Sequence, residues 1–240
     1  MEAQEFRLVE RRQIAEGTLE FHFEKPKGFT FKAGQHINIK LSELAHEDGK
    51  GPRRTFTLAS SPGESELMIC TRMTGSGFKK TLAQLDIGSS LEFIGPMGEF
   101  TLRAEDTNVV MIAGGIGITP FRSMLLDLSA ERAPSSLSLF YSNRILESAA
   151  YHDLFVQLQH SRGWPFNYVP TLTDTGDSGT DWSGERRKID LEFLRHYTAD
   201  FSSNRFYLCG PPGMVKALTD TLSGAGLDAG DIRSESFWGY

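Results

Sequence analysis

The sequence predicts two domains of different class: an all-β barrel or sandwich over residues 1–103, then a doubly wound parallel α/β sheet over residues 104–240. Three observations predict this. A chain of 240 residues is long enough for two compact domains, each burying its own core. Short β-type runs separated by turn residues fill the first hundred or so positions, as in an antiparallel barrel or sandwich. Beyond residue 104, almost continuous apolar strands alternate with helix-like segments, the mark of a parallel, doubly wound sheet.

Residues 18–23, 36–41, 55–59, 66–72 and 90–94 read as the strands of the first domain. Lys27-Gly28, Ala33-Gly34, Ser61-Pro62-Gly63 and Gly95-Pro96-Met97-Gly98 supply the turns between them, and residues 78–85 read as one helix. In the second domain a strand at 108–113 runs into glycines and a helix at 120–130, followed by a strand at 137–141, a helix at 149–160 and a strand at 166–172. Segments 191–197, 205–209 and 214–225 continue the alternation. Residues 174–187, rich in Gly, Ser, Thr and Asp, read as a long surface loop.

Composition narrows the function classes. A hydrophobic share of 39% with 23% charged residues describes a soluble globular protein and not a disordered one. The net charge of −6 disfavours sequence-independent binding of nucleic acid, which depends on Lys and Arg neutralising phosphates. Apolar runs such as 109–113 fall far short of the roughly 20 residues that span a bilayer, and the start Met1-Glu2-Ala3-Gln4-Glu5 lacks a secretory pattern. The expectation is a cytoplasmic protein with no membrane association. Cys70 and Cys209 are far apart and form no CxxC, which leaves neither a disulfide framework nor a four-cysteine iron–sulfur cluster within these residues. An iron–sulfur partner is therefore expected to be another protein. No two of the six histidines stand at metal-ligand spacing and no Gly-x-Ser-x-Gly elbow occurs, so no metal site is expected.

The most informative stretch is Arg54-Thr55-Phe56-Thr57-Leu58-Ala59-Ser60. A planar guanidinium suits a pyrophosphate, an aromatic ring suits a flat heterocycle, and Thr57 offers a hydroxyl. An ordinary strand with one solvated arginine is the structural alternative. Gly75-Ser76-Gly77-Phe78-Lys79-Lys80 places glycines and two lysines at a helix start, a second grip on a pyrophosphate or else a solvated basic turn. Gly114-Gly115-Ile116-Gly117-Ile118-Thr119-Pro120 joins a strand to a helix, where backbone amides can approach a phosphate. It is not the GxGxxG fingerprint of a simple dehydrogenase. Cys209-Gly210-Pro211-Pro212-Gly213 repeats that arrangement at a later strand end. Ser142 and Arg144 follow the strand where the adenosine ribose of a dinucleotide lies; with no acidic residue immediately there, Arg144 points to a 2′-phosphate and hence to NADPH. The end of the sequence, Glu235-Ser236-Phe237-Trp238-Gly239-Tyr240, gathers three aromatic rings that would pack on something flat, a domain interface or a flavin.

Taken together, Arg54-x-Phe56-Thr57-x-x-Ser60, Gly95-Pro96-Met97-Gly98-Glu99-Phe100, the 114–120 turn, Cys209-Gly210-Pro211-Pro212 and Glu235-x-Phe237 resemble the ferredoxin–NADP reductase family, in order and spacing, over nearly the whole chain. The resemblance implies a Greek-key β-barrel that binds FAD, followed by a doubly wound domain that binds NADPH or NADH. It implies that Arg54 holds the FAD pyrophosphate, that Phe56 takes the place of a usual tyrosine beside the isoalloxazine, that Thr57 sits near flavin N5 and that Ser60 joins the cofactor site. Cys70, Thr71 and Arg72 would line the flavin and ribityl chain, and Gly77, Phe78 and Lys79 would approach the diphosphate. Gly115, Gly117, Ser142, Arg144, Gly210 and Pro211 would bind the nicotinamide dinucleotide, with Thr119 and Cys209 flanking its ring. Glu235 and Phe237 would lie near the flavin face, and either Phe237 or Tyr240 would cover it. The implied activity is hydride transfer from NAD(P)H to flavin and delivery of electrons to a ferredoxin, a flavodoxin or an oxygenase component. Two alternatives stand beside it: a reductase of free flavin or ferric complexes, and a non-catalytic nucleotide-binding subunit.

Overall fold

A computed structural model describes residues 3–47, 49–161, 163–174, 182–198 and 200–238. They divide into two compact units. One takes in the chain up to Thr101 together with Thr119–Asp127; the other takes in Leu102–Ile118 and Leu128–Trp238.

Among the described residues the first unit is built on six antiparallel strands: β1 (Gln4–Ala15), β2 (Thr18–Glu24), β3 (His36–Lys40), β4 (Arg53–Thr57), β5 (Glu66–Arg72) and β6 (Ser90–Met97). They lie in the order β4-β3-β6-β1-β2-β5. A bridge between Leu58 and Ile69 and the Ala59 amide bond to the Met68 carbonyl (2.7 Å) join the two edges, so the sheet closes into a barrel. The joint creates an interior that must be filled, while β4 itself has its ladder with β3 alone among the described residues. Phe6, Leu8, Phe21, Phe23, Ile37, Ile39 and Phe93 fill it from alternate strand positions.

Two features of this barrel depart from the sequence reading. The long β1 was not expected as a strand, because the charges of Glu5, Arg7, Glu10, Arg11 and Arg12 obscure an alternation that only Phe6 and Leu8 carry inward. Gly95, Pro96 and Met97, expected as a turn, continue β6. The register against β3 shifts between His36 and Asn38, where Gly95 and Pro96 form a bulge. Pairing of β6 with β1 has ended by Phe93, so the missing proline N–H interrupts no ladder on that side.

Helix α1 (Gly77–Gln84) buries Phe78 and Leu82 against the barrel core. Helix α2 (Thr119–Asp127), which opens on Pro120 in its first turn, also packs with this unit. Arg122 donates to the Ala59 carbonyl (2.7 Å) and forks onto Glu64 at 3.0 and 3.1 Å, while Ser123 donates to the Ser60 carbonyl (2.6 Å).

The second unit is a parallel sheet of β7 (Asn108–Gly114), β8 (Ser136–Asn143), β9 (Asn167–Leu172), β10 (Arg205–Gly210) and β11 (Ile232–Ser236), in the order β11-β10-β7-β8-β9. From β7 the chain builds outward to β9, then returns to the other side of β7, which places the topological switch point between β7 and β10. Helices α4 (Leu191–Tyr197) and α5 (Pro212–Gly224) cover one face, where Phe193, Leu194, Val215, Leu218 and Leu222 pack on Val110, Ile112, Phe206 and Leu208. On the other face, Phe155 of α3 (His152–Ser161) meets Tyr141 and Tyr168.

Helix α3 starts later than the sequence suggests, after a 3-10 turn at Leu146–Ser148. Strand β11 was unexpected because its residues are polar and only half buried at the sheet edge. Of the predicted loop at 174–187, residues 175–181 lie outside the described residues; after them Glu185 bridges Thr171 and extends the β9 edge. Among the described residues no helix is long and apolar enough to cross a membrane and no His/Cys/Asp/Glu group is suited to a metal.

Candidate functional site

In the first unit, β4 pairs with β3 so that Arg54 stands opposite Ile39, Phe56 opposite Ile37 and Thr57 opposite His36. Alternation sends Phe56 and Leu58 into the core and leaves Thr55 outside, where its hydroxyl accepts from Asn38 (3.1 Å). Phe56, expected beside a flavin ring, is 8% exposed and lies against Phe78, with centroids 5.8 Å apart. Thr57 is buried too. Ser60 is fully buried, and its hydroxyl accepts from the Met68 amide at 3.0 Å. One acceptor position of this expected cofactor contact is thus used at a joint of the barrel.

The half-buried Arg54 sets its guanidinium 5.4 Å from the centre of the Phe78 ring and donates to the carbonyls of Lys50, Gly51 and Arg53 at 3.1, 2.8 and 2.6 Å. On β5, Cys70 and Thr71 are buried and Arg72 is half buried at the strand end. Ser76 caps α1 by accepting from the Lys79 amide, and Lys79 Nζ donates to the Arg72 carbonyl (3.0 Å). Gly77 is glycine for packing: a side chain there would collide with the backbone at His46 and Glu47. Phe78 turns wholly into the core, so neither residue offers a side chain to a diphosphate.

Burial, and after it the charges of Arg54, Arg72 and Lys50, push Lys79 down to about 8. Among the described residues, the charges that act on this lysine, Arg54, Arg72 and Lys50, are positive. Crowding like charges around a half-buried ammonium costs stability, and a pyrophosphate bound among them would turn each repulsion into a charge-assisted hydrogen bond. Lys50, Arg54, Arg72 and Lys79, gathered near the start of α1, therefore fit the phosphates of a dinucleotide cofactor. Lys50 escaped the sequence reading, since it lies in a Gly-Lys-Gly turn with no pattern of its own.

In the second unit, β7 runs directly into a 3-10 turn at Gly115–Ile118. Gly117 packs on the backbone of Cys209 and Gly210, where any Cβ would overlap the Cys209 carbonyl. Gly115 is half buried, with φ 51°. The two glycine-bearing turns thus meet at the switch point between β7 and β10, where open α/β sheets bind ligands. Thr119 is buried at the start of α2.

Cys209 pairs with Ala113 on one side and Glu235 on the other. It is fully buried, and burial, reinforced by the Glu235 carboxylate, pushes its thiol well above the usual range. A thiol held protonated by burial is a weak nucleophile. Gly210 accepts the Phe237 amide at 2.9 Å, and exposed Pro211 precedes α5. Glu235 and Phe237 are half buried. Trp238 is 83% exposed. Tyr240 lies outside the described residues.

Ser142 is half buried near the end of β8. Arg144, expected as a phosphate ligand, is paired with Asp174, Nη2 to Oδ2 at 3.4 Å. The carboxylate comes from the end of the neighbouring strand β9, which reading one strand end at a time overlooks. Tyr151 was also missed: it holds φ at 62°, a conformation uncommon for a bulky residue and concentrated at functional sites.

Comparison with known proteins gives two domain matches. The Oxidoreductase FAD-binding domain matches residues 5–102 and the Oxidoreductase NAD-binding domain matches residues 111–220. The reductase component of phenol 2-monooxygenase from Pseudomonas sp. (strain CF600) is 31% identical over 221 residues, which cover 90% of this chain and 60% of that protein. The glycine betaine monooxygenase reductase subunit of Chromohalobacter salexigens is 29% identical, over 90% of this chain and 59% of that one. The chain therefore spans about three fifths of the length of these relatives. In fold it resembles a Neisseria gonorrhoeae ferredoxin NADP+ reductase with bound FAD and NADP, at a TM-score of 0.83 and 22% identity, covering 99% of this chain and 100% of the other.

Proposed function

Because the chain belongs to the ferredoxin–NADP reductase family, pairing an FAD-binding with an NAD-binding oxidoreductase domain, we propose that it draws electrons from NAD(P)H through FAD and delivers them to a separate protein. The observation that carries this reading is the gathering of Lys50, Arg54 and Arg72 around Lys79, a half-buried lysine brought to about 8. Arg54, Arg72 and Lys79 hold the FAD pyrophosphate, with Thr57 as the hydroxyl nearest the reacting ring. FAD, when bound, supplies the means to take a hydride and release electrons singly. Gly115, Gly117, Gly210 and Pro211 receive the nicotinamide dinucleotide, with Thr119, Cys209, Glu235 and Phe237 on its nicotinamide side. A neutral, buried Cys209 supports a role in shaping that pocket and not in covalent chemistry. Residues 1–103 are assigned to the FAD domain and 104–240 to the NAD domain.

The acceptor is an oxygenase component or a small iron–sulfur protein such as a ferredoxin, a reading supported by relatives named as reductase components of oxygenases. The cytoplasm is the proposed place of action, since the donor pool lies there. The test is the visible spectrum of the purified protein, followed anaerobically as NADH or NADPH is added. The expected outcome is a yellow protein that keeps FAD through gel filtration and bleaches on addition of donor. FAD lost on the column but turned over when supplied would point to a free-flavin reductase. A protein that neither holds nor takes up FAD would overturn the reading.

A further inference from the structure

The ends of β8 and β9 stay joined beyond their last ladder pair, Asn143 with Leu172. The Thr173 amide donates to the Asn143 carbonyl at 2.9 Å, its hydroxyl donates to the same oxygen at 3.2 Å, and the Asp174 amide donates to the Arg144 carbonyl at 3.0 Å. These bonds fix the backbone of Asp174 alongside Arg144, and the two side chains meet at 3.4 Å. The arginine is largely exposed and the carboxylate half buried, so the ion pair adds little to stability. Its consequence lies in the charge presented to a ligand at that strand end.

The strand beside the one carrying the glycine turn is where the ribose of a bound dinucleotide lies, and a carboxylate there accepts from its 2′-hydroxyl. A 2′-phosphate brings close to two negative charges to the same place. An isolated Arg144 would attract that phosphate, but Asp174 offsets the attraction and adds an acceptor that a phosphate cannot satisfy. We propose that Asp174, held against Arg144, makes this chain select NADH over NADPH. The inference rests on the reductase reading and reverses the donor that Arg144 alone suggests.

The test measures equilibrium binding of NAD+ and NADP+ to the FAD-loaded protein by calorimetry, beside anaerobic flavin bleaching by NADH and NADPH. Wild type is expected to favour the unphosphorylated nucleotide at least ~10-fold in both assays, and Asp174→Asn to shrink that ratio ~10-fold, chiefly by improving NADP+. In the Asp174→Asn background, Arg144→Ala should remove the gain for NADP+, whereas in wild type it should leave the preference for NAD+ in place. Tighter binding of NADP+ by wild type, or an unchanged ratio in Asp174→Asn with FAD still bound, would overturn the inference while leaving the reductase reading intact. A yellow protein that binds neither nucleotide would overturn both.

Discussion

At the scale of single residues, Lys79 gives the sharpest expectation. Its ordinary value of 10.5 falls to about 8 through burial and then through Arg54, Arg72 and Lys50. Below about 8 the lysine is charged in both the folded and the unfolded chain. Between about 8 and 10.5 the folded protein has already released the proton that the unfolded chain keeps, so the stability of the FAD-free protein rises with pH across that window. A pyrophosphate restores the charge. Binding of FAD or ADP should therefore take up a proton and weaken as pH rises above about 8. Calorimetric titration at about pH 8.5 in two buffers of different ionisation enthalpy reads that proton directly. Lys79→Met should abolish the uptake, raise the melting temperature of the FAD-free protein and weaken FAD by ~10- to 100-fold, the worth of a hydrogen bond to a charged group. A proton count of zero in wild type would show that the lysine does not meet the phosphates.

At the scale of elements, α2 is held to residues 59–64 by a buried arginine, Arg122, and a buried serine, Ser123. Burial pushes the Glu64 carboxyl up, but the Arg122 guanidinium and the Ser61 amide more than reverse this and hold it below its ordinary 4.5. A depressed carboxylate adds stability above the unfolded value and loses it as pH falls through the folded one. Arg122→Met should cost about 1–3 kcal/mol at neutral pH by stranding the Ala59 carbonyl and Glu64. That deficit should narrow at acid pH, as pH falls through the depressed folded-state value of Glu64 and the carboxylate takes up its proton. Urea unfolding at the two pH values measures both quantities, and equal deficits would remove Glu64 from the account. The helix itself was legible from its proline start and apolar content, but its anchor was not, because a buried arginine 58 positions from its carboxylate leaves no local pattern. The same contrast runs through the site. The strand bearing Arg54 and the two glycine turns announce themselves by residue type. Lys50 and Asp174 become visible only when the chain brings distant segments together, and the burial of Ser60 follows from barrel closure, which no seven-residue window contains.

At the scale of the whole molecule, order along the chain and membership in a compact unit do not coincide. Residues 1–103 were expected to form a domain alone, and the alternation of short strands made the barrel legible, yet the barrel unit also takes in Thr119–Asp127. A fragment ending at residue 103 would lack that helix. It would leave the Ala59 and Ser60 carbonyls without Arg122 and Ser123 and would strip Phe121 from Phe100, whose rings lie 5.8 Å apart. Losing one buried aromatic contact and several buried hydrogen bonds costs about 3–5 kcal/mol, a large part of the ~5–15 kcal/mol that holds a domain. The fragment should therefore melt well below the full chain and bind FAD more weakly, even though every residue proposed to hold the pyrophosphate is present in it. Because the chain of one unit passes through the other, the full protein should lose flavin fluorescence quenching and helical circular dichroism in a single transition. Separate transitions, or a fragment matching the full chain in melting temperature and FAD affinity, would show that α2 adds nothing to the barrel.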